Sequence, residues 1–125
     1  MGNSIVKLDN RLQKIADLVP AGVRLADIGT DHAYLPAALL LAKKIAFAVA
    51  ADVAAEPCQV AKTTLAMYGL KQCSEVRQGD GLKVLKPGEC DCLVMAGMGG
   101  STIVAWGNGC ITKITFNTLG KECFR

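Results

Sequence analysis

Short apolar runs alternate with stretches of helical pattern along roughly the first hundred residues, and this alternation constrains the fold more than any other feature. Four of the runs have the length of a single strand, and each ends in acidic or glycine residues. Strands that alternate with helices are typical of βαβ units, which form a parallel sheet with helices packed on it. We therefore predict an α/β fold with strands at residues 23–28, 46–51, 75–78 and 92–96.

The helices are predicted from apolar periodicity and from residues that begin or end helices. The first spans residues 8–19 and stops at Pro20. The second has Thr30 or Asp31 as its predicted N-cap, and the third opens at Pro57. Each helix lies before or between two predicted strands, as a parallel sheet requires.

The pattern weakens beyond Ser101. Residues 103–105 could begin a helix, and residues 111–116 could form a strand because isoleucine and threonine alternate there. Neither element continues the earlier rhythm of strands and helices. We therefore predict one domain over residues 1–104 and a tail of atypical sequence over residues 105–125.

Composition places the chain among folded, soluble domains. It has 125 residues, of which 51% are hydrophobic and 20% charged, and this balance is ordinary for a single globular domain. The net charge of +3 is compatible with an anionic partner but does not indicate one, because the lysines are scattered along the chain. The longest apolar-rich stretch, residues 33–42, is too short to span a bilayer, so no membrane partner is expected.

The six cysteines do not have the spacing of a metal site. No Cys-x-x-Cys pair occurs, the closest pair is Cys90 and Cys92, and His32 is the single histidine. Zinc sites use repeated short spacings of such ligands, so no metal is predicted. The amino terminus has no secretory pattern, and we therefore expect reduced thiols and a cytoplasmic protein.

The candidate site is predicted from the residues that end the strands. Asp27, Asp52 and Asp80 lie at or just after the first three strands, and the segment 97–100 follows the fourth. In open parallel sheets, ligands bind beyond the carboxyl ends of the strands. Aspartate and glycine also favour turns for local reasons, so any one position is weak, but the four together predict a ligand site.

The loop after the first strand discriminates between cofactors. A dinucleotide site needs a Gly-x-Gly-x-x-Gly loop, whereas this chain has Gly29 followed by Thr30, Asp31 and His32. An aspartate there would repel a pyrophosphate and favour a cationic ligand, so S-adenosylmethionine fits better than NAD. Asp52 could accept from the ribose hydroxyls of either cofactor.

Other residues near the strand ends have more than one interpretation. Asp80 is placed to accept from an adenine amino group. Gly97, Gly99 and Gly100 would let the backbone approach a transferred methyl group and its acceptor, or would only form a permissive turn. A lone histidine beside a helix start is a poor candidate for a base, and Tyr34 is expected to pack in the core.

The string LADIGTDHAYLP, from Leu25 to Pro36, resembles the TrmK-type tRNA (adenine-N1)-methyltransferases of bacteria. The resemblance includes LDNRL at residues 8–12, ADV at 51–53, GDGL at 79–82 and AGMGG at 96–100, and it covers about residues 5–104. It implies a Rossmann-like class I methyltransferase fold, S-adenosylmethionine as cofactor, and methylation of N1 of the adenine at position 22 of tRNA.

The resemblance also implies roles for individual residues, although it identifies no catalytic residue. The methionine side of the cofactor would be lined by Asp27, Gly29, Thr30, Asp31 and His32. The ribose and adenine would be held by Asp52 with Val53, and by Asp80 with Gly81, while Gly97 would also contact the cofactor. Met98, Gly99 and Gly100 would form a loop that faces the substrate.

The chain departs from the family pattern in two places. Ala54 and Glu56 stand where the family usually has asparagine and glycine. The resemblance stops after about Val104, whereas family members continue with further strands and a carboxyl-terminal helical domain. The fold is therefore expected to be incomplete on its carboxyl-terminal side.

Three hypotheses follow. The first is an RNA adenine-N1 methyltransferase or its cofactor-binding fragment. The second is a truncated, non-catalytic remnant that binds S-adenosylmethionine and self-associates through an exposed sheet edge. The third, an NAD-dependent oxidoreductase, is disfavoured because Gly-x-Gly-x-x-Gly is missing.

Overall fold

The computed structural model describes residues 6–30, 32–97, 100–107, 110–117 and 122–124. Its helices are α1 (Asn10–Leu18), α2 (Tyr34–Leu41) and α3 (Ala55–Met67). The strands in chain order are β1 (Arg24–Ile28), β2 (Phe47–Asp52), β3 (Ser74–Gln78), β4 (Cys92–Gly97), β5 (Gly100–Gly107), β6 (Cys110–Asn117) and β7 (Glu122–Phe124). Short 3-10 turns span Lys71–Cys73 and Gly81–Val84.

The strands form one sheet in the order β3-β2-β1-β4-β5-β6-β7. Pairing is parallel between β3, β2, β1 and β4, which confirms the predicted parallel sheet. The three predicted helices are present, and the third begins at Ala55, two residues before the predicted Pro57. The remaining pairs, from β4 to β7, are antiparallel. At the centre of the parallel part, Asp27 is paired with Ala50 of β2 and with Val94 of β4.

The sheet and the helices share one hydrophobic core. Alternate residues of β1 and β2, such as Leu25 and Ala48, belong to the same buried cluster as Ile15 of α1, Leu39 of α2 and Leu65 of α3. Side chains two apart on a strand point to the same face, so the three helices pack on one face of the sheet. The alanine-rich strand β2 has short side chains, and these let the helices lie close to its backbone.

The structure decides the two segments that the sequence left ambiguous beyond Ser101. Residues 103–105 do not begin a helix but belong to β5, where Ile103 is paired with Val94 and Val104 with Leu93. Long-range pairing with β4 decides this segment, which its local sequence left ambiguous. The strand predicted at residues 111–116 is confirmed as β6, and β5 includes residues on both sides of position 104.

The predicted cap of α2 is also wrong. Its N-cap is Ala33, which lies in the left-handed region at φ 60° and makes no side-chain cap hydrogen bond. Thr30 lies three residues before this N-cap, and its hydroxyl donates to Asp27. The other candidate, Asp31, lies outside the described residues. The loop between β1 and α2 is therefore organised around a buried carboxylate and not around a helix cap.

Candidate functional site

A cavity of about 280 Å³ opens at the carboxyl ends of β1 and β4. The chain leaves β1 toward β2 and β3 on one side, then crosses from β3 to β4 on the other side of β1, so the strand order reverses here. Such a reversal of strand order is where open α/β sheets bind ligands. The lining residues come from α1, the β1 loop, the start of α2 and β4, and they are Arg11, Leu12, Ile15, Asp27, Gly29, Thr30, His32, Tyr34, Leu35 and Val94.

Asp27 is the buried charge of this cavity. It is 5% exposed, and one of its carboxylate oxygens accepts a hydrogen bond of 2.9 Å from the Thr30 hydroxyl. Burial removes water from the carboxylate and raises its pKa to about 6, although the Thr30 hydrogen bond acts in the opposite direction. The charge of Asp52 raises the pKa further, and that of Arg11 lowers it. A cationic ligand in this cavity would stabilise the ionised form of Asp27.

The backbone of the β1 loop is held against the end of β2. The amides of Gly29 and Thr30 both donate to the carbonyl oxygen of Ala51, at 2.8 and 3.0 Å. Gly29 has a φ of 77°, a conformation that residues with a side chain rarely adopt. The glycine therefore lets the chain turn sharply while Asp27 and Thr30 stay at the cavity wall.

Two aromatic rings form part of the cavity wall. His32 and Tyr34 are stacked, with centroids 5.0 Å apart and ring planes at 9°. Tyr34 is 41% exposed, so the prediction that it packs in the core is wrong. Ala33 and Leu35 occupy the buried positions on either side of it, which leaves the tyrosine ring at the cavity.

The other predicted aspartates do not line this cavity. Asp52 ends β2, and its Oδ1 accepts from the amide of Ala54 at 3.0 Å. Val53 is 66% exposed. The Asp80 side chain is 79% exposed and lies 3.9 Å from Lys83 Nζ. The structure therefore brings together Asp27, Gly29, Thr30 and His32, and it places the other aspartates further along the same sheet edge.

The two ends of strands β2 and β3 are nevertheless joined. Asp52 is paired with Gln78, and the amide of Gly79 donates to the Asp52 carbonyl oxygen at 3.0 Å. Gly81, the predicted neighbour of Asp80, begins the 3-10 turn that follows. Asp52 and the Asp80 segment therefore belong to one continuous surface beside the cavity.

The predicted glycine loop lies between two strands. Gly97 ends β4 and Gly100 begins β5, and the two residues are paired across the antiparallel hairpin. Met98 and Gly99 lie outside the described residues. Because β4 also contributes Val94 to the cavity, this hairpin starts on the strand that forms the cavity wall.

Sequence reasoning missed Arg11 as a cavity residue. It lies in the first turn of α1, whose N-cap is Asp9, and it reaches the cavity together with Leu12 and Ile15. Helical periodicity places Arg11 off the main apolar face of α1, but it does not predict which part of the protein lies next to that side of the helix. The tertiary packing of α1 over the end of β1 brings its positive charge toward Asp27.

The described side chains are suited to an organic ligand. The buried carboxylate can bind a cationic group, and the more exposed aspartates can accept from hydroxyl and amino groups. Within the described ranges, no cluster of three His, Cys, Asp or Glu residues could hold a metal ion. Cys58, Cys73, Cys90 and Cys92 have free thiols. No helix in the described part of the chain is long and apolar enough to cross a membrane.

Comparison with known proteins agrees with this geometry. Residues 8–108 match the model of a methyltransferase domain. A curated relative, the tRNA (adenine(22)-N(1))-methyltransferase of Bacillus subtilis, is 46% identical over 98 residues, which are 78% of this chain and 41% of the relative. This chain thus spans about two fifths of the length of that protein.

Solved structures give the same result. The B. subtilis M1A22 tRNA methyltransferase TrmK superposes with a TM-score of 0.72 at 46% identity, over 75% of this chain and 40% of that one. M. capricolum TrmK in complex with S-adenosyl-homocysteine superposes with a TM-score of 0.69 at 34% identity, over 74% and 42%. With the matched domain covering most of its length, the chain belongs to the methyltransferase domain family.

Proposed function

We propose that this chain is the cofactor-binding part of an S-adenosylmethionine-dependent methyltransferase that acts on N1 of an adenine in tRNA. The observation that carries the proposal is the buried carboxylate of Asp27 in a cavity at the strand-order reversal. The choice of adenine 22 comes from the 46% identity to a curated enzyme of that name.

The donor set fits S-adenosylmethionine. Its methionine part carries a positive sulfonium and ammonium and no phosphate, and the Asp27 carboxylate, with Gly29, Thr30, Asp31 and His32, would hold that part. The cofactor supplies an activated methyl group on its sulfonium when bound. Burial strengthens the interaction of Asp27 with a cation because little water competes for the charge.

The adenosine part would lie on the surface beside the cavity. Asp52 and Val53 would hold the ribose, and Asp80 with Gly81 would face the adenine amino edge. The bond from Gly79 to the Asp52 carbonyl supports this assignment, since it keeps the two segments side by side. Gly97 would approach the cofactor from β4.

The acceptor adenine would enter from the side of the loop formed by Met98, Gly99 and Gly100. Neutral N1 has a lone pair in the ring plane and can attack a methyl carbon without a strong general base. Catalysis can therefore depend on alignment of the two reactants. N1 lies on the Watson–Crick edge, so the adenine must be unpaired or extruded when it reacts.

Methyl transfer to tRNA tests the proposal. The chain is incubated with labelled S-adenosylmethionine and an unmodified tRNA transcript, with a transcript carrying guanine at position 22 as the matched control. Label in N1-methyladenosine from the first transcript alone is the expected result. Binding of S-adenosylhomocysteine without any transfer would support the non-catalytic alternative, and preferential binding of NAD would overturn both.

We also propose a cytoplasmic location, where tRNA is available, and self-association through the outer edge of β3. In the described part of the sheet, β3 is a terminal strand with β2 on its inner side. Unpaired strand edges can pair with another chain. Sedimentation of the chain over a range of concentrations tests this, because a monomer at every concentration would rule it out.

We further propose that cofactor binding depends on residues 1–104 and not on the tail at 105–125. Lys113, in β6, lies far along the sheet from β1, with β4 and β5 between them. Lys113→Ala is expected to leave the affinity for S-adenosylhomocysteine unchanged. A substantial loss of affinity would contradict this division.

A further inference from the structure

Outside the cavity, one ion-pair network joins β3 to the segment that follows it. Arg77 donates from Nη1 to Glu89 Oε1 at 2.8 Å and from Nη2 to Glu89 Oε2 at 2.5 Å. Its Nη1 also donates to the carbonyl oxygen of Val84 at 2.7 Å. The side chains of Arg77 and Glu89 are only 19% and 16% exposed. We call this pair the Arg77–Glu89 clasp.

The clasp is one of several contacts that hold residues 79–89, the segment between β3 and β4. Gly79 is bonded to the Asp52 carbonyl at the start of the segment. Val84 packs so closely on Gly79 that a Cβ there would overlap Val84 Cγ1. Arg77 holds the Val84 carbonyl in the middle of the segment and Glu89 at its end. The Asp80 turn lies between the first two of these points.

The end of the segment is held on a second side as well. Arg24 of β1 donates from Nε to the Glu89 carbonyl oxygen at 3.0 Å. The amide of Lys86 donates to Glu89 Oε1, also at 3.0 Å. Glu89 therefore connects β3, through its carboxylate, and β1, through its carbonyl, to the chain before β4.

The clasp differs in kind from the exposed ion pair beside it. Planar, two-point pairing of a guanidinium with a carboxylate is among the strongest charged hydrogen bonds in proteins. The Arg77 hydrogen bonds lower the pKa of Glu89 to about 2, so the carboxylate stays ionised at neutral pH. By contrast, Asp80 and Lys83 are separated by 3.9 Å with side chains 79% and 83% exposed, and such pairs contribute little.

We propose that Arg77 and Glu89 are positioning residues that hold the Asp80–Gly81 turn in place for the adenine end of the cofactor. The inference rests on the proposed function, because it takes this turn as the adenine-side contact. Asp80 is exposed, and its own turn is closed by a single described backbone bond, from the Lys83 amide to the Asp80 carbonyl at 3.2 Å. The position of the Asp80 turn therefore depends on the anchors on either side of it, the Gly79 bond and the clasp, and not on contacts of the Asp80 carboxylate.

The chain provides a matched control in Glu75. This carboxylate also accepts from Arg77 at two points, from Nε at 3.0 Å and from Nη2 at 3.2 Å, but it lies two residues away on the same strand and is 54% exposed. It does not connect β3 to the later segment. Each of Glu89→Gln and Glu75→Gln therefore removes one carboxylate charge that pairs with Arg77. Only Glu89→Gln breaks the clasp.

The experiment compares two ligands by calorimetry on the full chain and both variants. The ligands are S-adenosylhomocysteine and S-inosylhomocysteine, in which a ring carbonyl replaces the adenine amino group. The unmodified chain should prefer S-adenosylhomocysteine by about fivefold to tenfold, the effect of one hydrogen bond. Glu89→Gln should abolish most of this preference, and Glu75→Gln should retain it. Arg77→Lys, which keeps the charge but not two-point pairing, should fall between them.

A purely structural clasp would give a different result. If Glu89→Gln lowered the melting temperature and weakened both ligands equally, or left the preference intact, the inference would be overturned while the proposed function stood. If Glu89→Gln failed to fold, Arg77→Lys would provide the same comparison. An unmodified chain that bound neither ligand would overturn the proposed function and, with it, this inference.

Discussion

The carboxyl edge of the sheet has two regions that differ in solvent access although both carry aspartates. At the ends of β1 and β4, Asp27 is 5% exposed and lines a cavity. After β3, the Asp80 side chain is 79% exposed. Strand β1 is covered by neighbours on both sides, whereas β3 is a terminal strand of the described sheet. Position in the sheet, and not residue type, therefore decides how strongly each carboxylate can interact with a charged ligand.

This difference separates the energetic roles of the two regions. A buried carboxylate costs stability in the free protein because it loses hydration, and a bound cation recovers that cost. A solvated carboxylate lowers the stability of the free protein little, and its charge contributes little to the affinity for a ligand. We therefore expect the cavity to supply most of the affinity for a cationic cofactor, and the open region to supply discrimination between bases.

The largest expected effect is on stability. The pKa of Asp27 is raised from 3.8 to about 6, so the folded protein binds a proton more tightly than the unfolded chain. The contribution of Asp27 to the free energy of unfolding is therefore largest below about pH 4. It falls as the pH rises from about 4 to 6, and it is lost above about pH 6. The difference amounts to roughly 3 kcal/mol at about 1.4 kcal/mol per pKa unit.

Asp27→Asn, which cannot ionise, isolates this effect. Without cofactor, the substitution changes the free energy of unfolding by an amount that depends on pH. This change should be more stabilising at pH 8 than at pH 4, by up to about 3 kcal/mol. Denaturant unfolding at both pH values measures it. Asp80→Asn is the control, and an equal pH-dependent difference for both variants would contradict the contrast between the two regions.

The next effect is on cofactor affinity. Asp27→Asn should weaken S-adenosylmethionine binding about 100-fold, because it removes a desolvated charged interaction of about 2.7 kcal/mol. Titration calorimetry at pH 8 measures the change. The same substitution would then favour the free protein more at pH 8 than at pH 4 and impair binding. Unchanged affinity would remove Asp27 from the proposed site.

A smaller effect is expected from pH. Below a pKa of about 6, Asp27 is protonated in the free protein, and the ammonium group of the ligand must displace that proton. Affinity for S-adenosylhomocysteine should therefore fall up to about tenfold between pH 6 and pH 5, and stay level between pH 7 and pH 8. Asp27→Asn should lack this dependence. A profile with the same slope in the variant would assign it to another group.

The smallest effect is expected in the open region. Asp80→Asn should reduce affinity for S-adenosylhomocysteine by less than about threefold, since asparagine keeps an oxygen that can accept from the adenine amino group and only an exposed charge is lost. Competition binding against a fluorescent analogue resolves a change of this size. A loss as large as that of Asp27→Asn would show that the open region closes around the ligand, and the contrast between the two regions would then hold for the free protein alone.

Local sequence patterns predicted the parallel half of the molecule closely. The predicted strand at residues 92–96 corresponds to Cys92–Gly97, and the loop from Asp27 to Thr30 lies at the cavity as expected. These elements are encoded by short apolar runs with turn residues at their ends, a signal that lies within each segment. The cofactor roles of individual residues remain predictions that the experiments above address.

Predictions failed where distant parts of the chain decide the conformation. Residues 103–105 form part of β5 because β4 provides a partner strand. Tyr34 faces the cavity because Ala33 and Leu35 take the buried positions at the start of α2. Arg11 reaches the site because α1 packs over the end of β1. Each of these relations depends on which surfaces the fold buries, and that is decided by parts of the chain distant in sequence.

The sequence by itself determined the order of strands and helices, the glycine turn at Gly29 and the acidic strand ends, because periodicity and turn chemistry act over a few residues. Only the tertiary structure decided which carboxylate is buried and which is exposed. That depends on whether a strand lies in the centre or at the edge of the sheet, and on which helix covers its end. Burial then raises the pKa of Asp27, whereas the Asp80 side chain stays in solvent, although both residues are aspartates at the ends of strands in the sequence.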